Sequence, residues 1–444
     1  MAEKIIVIGA GIAGLTAAKL LHESGFEVMV LEAKNRIGGR THTVSLGTAR
    51  LDAGASWIHY SDGNPLRFIA EAYGFEVVED VYDSFSIWDE QNTREIGFQK
   101  HEYLLEAENA REAAADYFQE NQGGKKTVDF IDSYIGNKNW SDKKSRLVRF
   151  LYSALLETDY AASIGNISLS DERCLNTFGN ASENDALLVK GYGQLVDMLA
   201  KDLDIRLSQP VIAINYEGEK VVLTTHQEVF ECEKMILTVP LGVLKKETIQ
   251  FIPSLPQSKL KAIHDFGYGN LEKVILTFEE VFWNDQKTIF FLGKNLSELE
   301  FPLTIDFSPT AGIPTLVLFY SAQFAERLQE MEDAEILKMT LSTLEKAFNV
   351  SDLQFVDYHI TRWSKDPFFN GSYSYSANDD IIEDIILMTK PLQNKVFFAG
   401  EATSIEGQSY VHGALLSGVR EAKRLGASLD GIKGLKEYFG EINV

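Results

Sequence analysis

The chain has 444 residues, of which 45% are hydrophobic and 24% charged, and its formal net charge is −23. That length exceeds what one hydrophobic core serves and predicts two domains or an intertwined pair, while the acidity disfavours nucleic acid, whose phosphates it would repel, and suits a cationic substrate. No apolar run approaches the roughly 20 residues of a membrane helix, and two cysteines, Cys174 and Cys232, are too few for a disulfide framework and lack the spacing of metal ligands, so neither membrane nor metal is expected.

The first strand starts almost at the N-terminus with no basic leader ahead of it, and Glu441 to Val444 match no retrieval signal, so the cytoplasm is the expected compartment. Residues Ile5 to Ile8 form an apolar run that stops at Gly9-x-Gly11-x-x-Gly14; a helical pattern of Leu15, Ala18, Leu20 and Leu21 follows, then a second run, Val28 to Leu31, ending at Glu32. Gly9 allows the tight turn, Gly11 lets backbone N–H groups approach a pyrophosphate, and Gly14 lets the helix pack on the strand. Ala13 sits inside the same turn, and Glu32 is placed to accept hydrogen bonds from an adenosine ribose. The sequence continues as Arg36-x-Gly38-Gly39-Arg40, a second glycine turn followed by a cation suited to phosphate.

With this E-A-x-x-R-x-G-G-R extension the stretch resembles the flavin-containing amine oxidase family, which implies FAD, with Glu32 on the ribose and Arg40 near the cofactor. Leu51 to Leu66 is similar to the G-A-x-W-[IV]-H-G turn of the polyamine oxidases. The resemblance puts Ala55, Ser56 and Trp57 against the flavin and His59 toward the substrate; Tyr60 stands where relatives carry glycine. From Phe68 to about Asp185, charged residues mix with Ala, Leu and aromatics at helical spacing, which predicts a mostly helical insertion with a polar loop at Gln119 to Lys126. Its carboxylates Glu157, Asp159 and Asp171 could meet a substrate ammonium or simply face solvent, and Asp159 is the one expected to meet the ammonium.

Leu187 to Ile214 predicts a helix at Gln194 to Lys201 and strands at Ile205 to Leu207 and Val211 to Ile214, and it resembles the family segment in which the backbone at Val211 touches adenine. Strands at Val221 to Thr225 and Met235 to Val239 follow. Phe251 to Trp283 resembles the pattern shared by polyamine oxidases and lysine-specific histone demethylases, a helix at Lys259 to His264 leading to a strand at Lys273 to Phe278. That match makes Lys273 the lysine that reaches flavin N5 through a water. Phe301 to Ser321 and Phe355 to Arg362 read as strands around a helix at Ala334 to Phe348. Trp363 is expected beside Lys273, and Tyr373 and Tyr410 align with the paired aromatics on the flavin's substrate face, with Tyr375 a rival for the first. Ser372 stands where some relatives attach flavin through cysteine, so the FAD is expected to be non-covalent. Val396 to Leu425 is similar to the C-terminal F-A-G-E-x-T motif, implying flavin contacts from Gly400, Glu401, Tyr410 and Val411.

These motifs imply an α/β protein: a Rossmann-like FAD-binding domain of the GR2 type (1–67, 186–258 and 386–431) intertwined with an α+β substrate domain (68–185 and 259–385) holding a mixed or antiparallel sheet and the helical insertion, then a tail (432–444). The expected activity is oxidation of a small cationic amine by O2, polyamine oxidase-like. A monoamine or L-amino-acid oxidase and a flavin-bound scaffold or sensor without turnover stay open as alternatives; a histone demethylase is weaker, since no long helical tower insertion is visible.

Overall fold

An apolar strand whose neighbours are parallel must be covered on both faces, and the first strand of this chain meets that condition. The computed structural model describes residues 3–80, 84–89, 94–95, 100–121, 125–169, 184–283, 287–292 and 303–442. Lys4–Ile8 lies at the centre of a five-stranded parallel sheet in the order Asp204–Arg206, Glu27–Leu31, Lys4–Ile8, Lys234–Leu237, Val396–Phe398. Alternate side chains serve opposite cores. Ile5, Val7, Val30, Ile236 and Phe397 join the helices Ile12–Glu23, Gly193–Ala200 and Val411–Arg424, whereas Ile6, Ile8, Leu31, Met235 and Phe398 pack against Gln257–Asp265 and Ile381–Thr389. Two of these helices nearly touch: a side chain on Gly418 would come within 2.3 Å of the Ala13 carbonyl oxygen.

A seven-stranded sheet forms the second layer, in the order Asp357–Ile360, Leu271–Thr277, Thr315–Ser321, Leu303–Asp306, Thr288–Leu292, Phe85–Asp89, Arg94–Glu95. It is antiparallel except where Thr288–Leu292 runs parallel to Phe85–Asp89. Helices Lys100–Asn121, Thr127–Gly136 and Asp142–Tyr160 pack on one end of it through Ile87, Phe290 and Leu292.

The structure amends several expectations. The stretch expected to be a helical insertion opens with strands Val77–Asp80 and Phe85–Asp89, and Val77–Asp80 pairs with Asp185–Leu188 in a small sheet joining the two expected domains. Phe85–Asp89 (FSIWD) is buried at every position, which removes the polar alternation that marks a strand. The helix before the polar loop runs on to Asn121, and residues 122–124 of that loop lie outside the described residues, as do Cys174, Asp171 and the first two residues of the strand expected from Phe301. Part of the expected tail is a docked helix, Leu435–Ile442, whose Tyr438 ring lies 5.8 Å edge-on to Phe68. Cys232 is buried and free. Among the described residues no cluster fit to ligate a metal occurs, and no helix is long and apolar enough to cross a membrane.

Candidate active site

The two layers enclose a cavity of about 1390 Å³ whose lining runs from Gly9 and Glu32 at one end to Tyr373 and Tyr410 at the other. The glycine turn closes the first end. Gly9 has φ +102°, and a side chain there would collide with Thr238 Oγ1 at 2.5 Å; one on Gly14 would lie 2.0 Å from the Gly9 carbonyl oxygen. These two glycines are required by the protein's own packing. Gly11 is different, since a side chain there would approach no atom closer than 4.0 Å, and its φ of −82° suits any residue. Ala13 lines the cavity beside it. The helix that starts here has no capping side chain and no acidic residue in its first turn, so its positive end is directed at the cavity. Buried Glu32 accepts hydrogen bonds from the Ala10 N–H (2.7 Å) and the Lys34 N–H (2.8 Å), and burial raises its pKa despite them. Val211 lines the wall next to it with Gln209 and Pro210.

Arg40 and Glu401, far apart in sequence, form an ion pair of 2.8 Å on the wall of the cavity. Arg40 Nη1 also donates to the Ser372 carbonyl oxygen at 2.8 Å. The second carboxylate oxygen of Glu401 accepts from Ser374 Oγ (2.6 Å) and the Ser409 N–H (3.1 Å). Two residues expected as separate cofactor contacts are thus one internally satisfied unit. The next segment leads into the helix Val411–Arg424, which also lacks a capping side chain and presents Tyr410, Val411 and Ala414 to the cavity. A side chain on Gly413 would lie 1.8 Å from the Gly407 carbonyl oxygen, so the glycine admits the loop that aims this helix.

Lys273 enters from the second sheet. Strand Leu271–Thr277 is fixed on one side by Thr361, whose Oγ1 accepts from the Lys273 N–H at 2.7 Å, and two residues on Trp363 lines the cavity with its ring edge-on to Phe369 at 5.1 Å. The Lys273 ammonium donates to the carbonyl oxygens of Asp52 (3.0 Å) and Gly54 (2.5 Å) and to Ser56 Oγ (2.7 Å), which accounts for its three protons. Burial lowers its pKa to about 8, against the opposing charge of Asp52. Burial likewise raises Asp52 to about 6, although Thr43 Oγ1 and the Tyr192 N–H both donate to its carboxylate. Trp57 and Ala55 line the same wall, and Trp57 Nε1 donates to Asp80 at 2.5 Å.

At the far end the Tyr373 hydroxyl donates to the Thr158 carbonyl oxygen at 2.6 Å, which pins the ring against the cavity. Tyr375 pairs with Gly267 in a short ladder and packs into the helical core, so of the two rival tyrosines only Tyr373 lines the space. The Tyr410 ring sits edge-on to His59 at 5.0 Å and to Tyr60 at 6.1 Å. His59 Nδ1 is 2.9 Å from Asp185, whose other oxygen accepts from the Tyr60 N–H at 3.2 Å. Burial pulls the His59 pKa down, but the charges of Asp185, Asp159 and Asp80 together carry it above the ordinary value. Tyr60 adopts a left-handed backbone, φ 52°, the conformation that glycine takes most readily.

Residues 12–426 match the family described as flavin containing amine oxidoreductase. The chain belongs to that family. It is 32% identical over 449 residues to probable polyamine oxidase 4 of Arabidopsis thaliana, covering 94% of this chain and 85% of that one. To polyamine oxidase 2 of the same plant it is 31% identical over 444 residues, covering 94% and 87%. To lysine-specific histone demethylase 2 of Homo sapiens it is 30% identical over 441 residues, covering 96% of this chain but 53% of the demethylase, so the chain spans about half the length of that relative.

Of the acids singled out in the sequence, Asp159 lines the cavity. The Glu157 carboxylate accepts from the Ile164 N–H at 3.2 Å away from it, and Asp171 is outside the described residues. Glu108, Arg111 and Glu112 of helix Lys100–Asn121 and Asp185 also line the cavity, none of them singled out from the sequence as a site residue. Their spacing at i, i+3 and i+4 does place Glu108, Arg111 and Glu112 on one helix face, but a charged face usually meets water and gives no separate sign of a cavity.

Proposed function

We propose that this protein is an FAD-dependent amine oxidase that converts a polyamine-like secondary or primary amine to an imine, which water hydrolyses to an aldehyde, with O2 reduced to H2O2. The observation that carries this reading is a single cavity onto which a glycine cradle, a buried lysine amine and an aromatic wall flanked by carboxylates all open. The parallel sheet with its glycine turn fits a Rossmann-like dinucleotide unit. Gly11 tests that fit, because nothing in the protein requires a glycine there and a pyrophosphate approaching the backbone does. Gly9, Gly11, Ala13 and Gly14 would hold the pyrophosphate, Glu32 the ribose and Val211 the adenine, with Arg40, Ala55, Ser56, Trp57, Gly400, Glu401 and the start of the Val411–Arg424 helix around the flavin end. Bound there, FAD would supply the two-electron acceptor that amine oxidation needs.

The chain's own residues would do the rest. Tyr373 and Tyr410 strip water from the amine, which favours the neutral nitrogen whose lone pair assists loss of hydride, while their ring faces still tolerate the cation. His59, oriented by Asp185, borders the reacting end, and Asp159 meets a distal ammonium. To position a water Lys273 would release one of its three internal acceptors, and with a pKa of about 8 its charge would stabilise negative charge developing on oxygen.

Release of H2O2 with spermine, spermidine, acetylated polyamines, monoamines and amino acids tests the reading. Turnover is expected with the polyamines; silence across the panel from protein fully loaded with FAD would favour the scaffold without turnover. The cofactor is expected to be non-covalent, because Ser372 Oγ is occupied by the Leu271 backbone, accepting from its N–H and donating to its carbonyl oxygen, each at 2.8 Å. Denaturing and precipitating the holoenzyme should therefore leave the flavin in the supernatant, and yellow colour in the pellet would contradict it.

A further inference from the structure

The acid expected to receive the substrate's distal charge already has a cation on it. Arg111 Nη1 lies 3.3 Å from Asp159 Oδ2, and the side chains are 27% and 42% exposed, both on the wall of the cavity. The helices that carry them, Lys100–Asn121 and Asp142–Tyr160, pack against each other in the helical core. Asp159 follows directly on Thr158, whose carbonyl oxygen holds the Tyr373 hydroxyl at 2.6 Å, so the ion pair adjoins the aromatic wall. Burial, then the charges of Tyr60 and Asp159, hold the Tyr410 hydroxyl well above its ordinary pKa, with Arg111 opposing, which puts the pair within electrostatic reach of the second aromatic as well.

The contact is long for an ion pair and its carboxylate is partly exposed on the cavity wall, where such a pair adds little to stability. Glu108, Glu112 and Asp185 line the same end, so cations near Arg111 meet an excess of carboxylates. In the oxidase reading, that guanidinium would compete with a second substrate ammonium for Asp159.

We infer that Arg111 is an internal stand-in for the distal ammonium of a polyamine, releasing Asp159 when the substrate's second cation displaces it and so setting the discrimination between polycationic and monocationic amines. This rests on the proposed oxidase reading and deepens it. The displaced guanidinium has Glu108 and Glu112 on its own helix within one turn as alternative partners. A monoamine has no second charge with which to displace it and gains nothing from its removal.

The test is calorimetric binding of spermine and of benzylamine to FAD-loaded protein under anaerobic conditions, in wild type, Arg111→Met, Arg111→Gln, Asp159→Asn and the double variant Arg111→Met/Asp159→Asn. Flavin absorbance and the thermal midpoint report whether each variant is folded and loaded. Both Arg111 variants are expected to raise the ratio of spermine to benzylamine affinity about fivefold, Asp159→Asn to lower it, and the double variant to lose the gain. Weaker spermine binding in the Arg111 variants, an equal rise for both amines, or a gain that survives in the double variant would overturn the inference. Because binding is read without turnover, an inactive wild type would sink the oxidase reading while these affinities still decide the role of Arg111.

Discussion

Lys273→Met should retain FAD and lose about a hundredfold or more in turnover, the scale on which a positioned proton-bearing group contributes. Methionine matches the length of the lysine stem and fills the space under the Asp52 to Ser56 turn, but it gives the carbonyl oxygens of Asp52 and Gly54 no proton. Stopped-flow traces would separate the halves of the reaction: anaerobic bleaching of flavin by amine should slow less than the return of colour with O2. The pH dependence carries a second signature. Lys273 is charged below about pH 8 and neutral above it, so the oxygen-consuming half should slow as pH rises through that value, and the inflection should vanish in Lys273→Met. Unchanged oxygen kinetics in the variant would remove Lys273 from the mechanism.

Gly11→Val and Gly14→Ala should fail in opposite ways. The space beside Gly11 is open and its backbone extended, so the valine variant should fold with a thermal midpoint near that of the apoprotein. Its side chain would project into the expected pyrophosphate position and weaken FAD binding by about 1–3 kcal/mol, roughly fivefold to 150-fold. At Gly14 even one methyl group would meet the Gly9 carbonyl oxygen at 2.0 Å, which should unfold the first βα unit whether or not FAD is present. Flavin content and apoprotein melting, measured on both variants, distinguish ligand from scaffold; equal FAD retention in Gly11→Val and wild type would contradict the placement of the cofactor.

Local chemistry explains what could be read in the sequence. The strand, glycine turn, helix and Glu32 lie within one short stretch, each enforced by near neighbours, and the structure has them at the expected places. Lys273 could be singled out by the residues around it, yet the Asp52 and Gly54 oxygens that hold its ammonium lie 221 and 219 positions away, and no sequence pattern pairs a lysine with a backbone carbonyl at that range. The Arg40–Glu401 pair was half visible, because each residue sat in its own motif while their meeting depends on how the two layers close. Arg111 was hidden for another reason. An acid, arginine, acid face has the pattern of a solvated helix, and only the fold turns that face toward a cavity.

The pairing of Arg40 with Glu401, across 361 positions, also bears on the order in which the molecule is made. The central strand Lys4–Ile8 gains its partner Lys234–Leu237 only after a long intervening stretch has been made, and that strand gains Val396–Phe398 later still. During synthesis the glycine cradle stays without its far wall until Val396–Phe398 and Glu401, far downstream, have been made. Nascent chains usually settle domain by domain from the N-terminus. Here the glycine motif waits for a strand made much later, so closing of the cavity belongs to late folding, and a product truncated before Val396–Phe398 carries an unclosed apolar sheet that quality control can recognise.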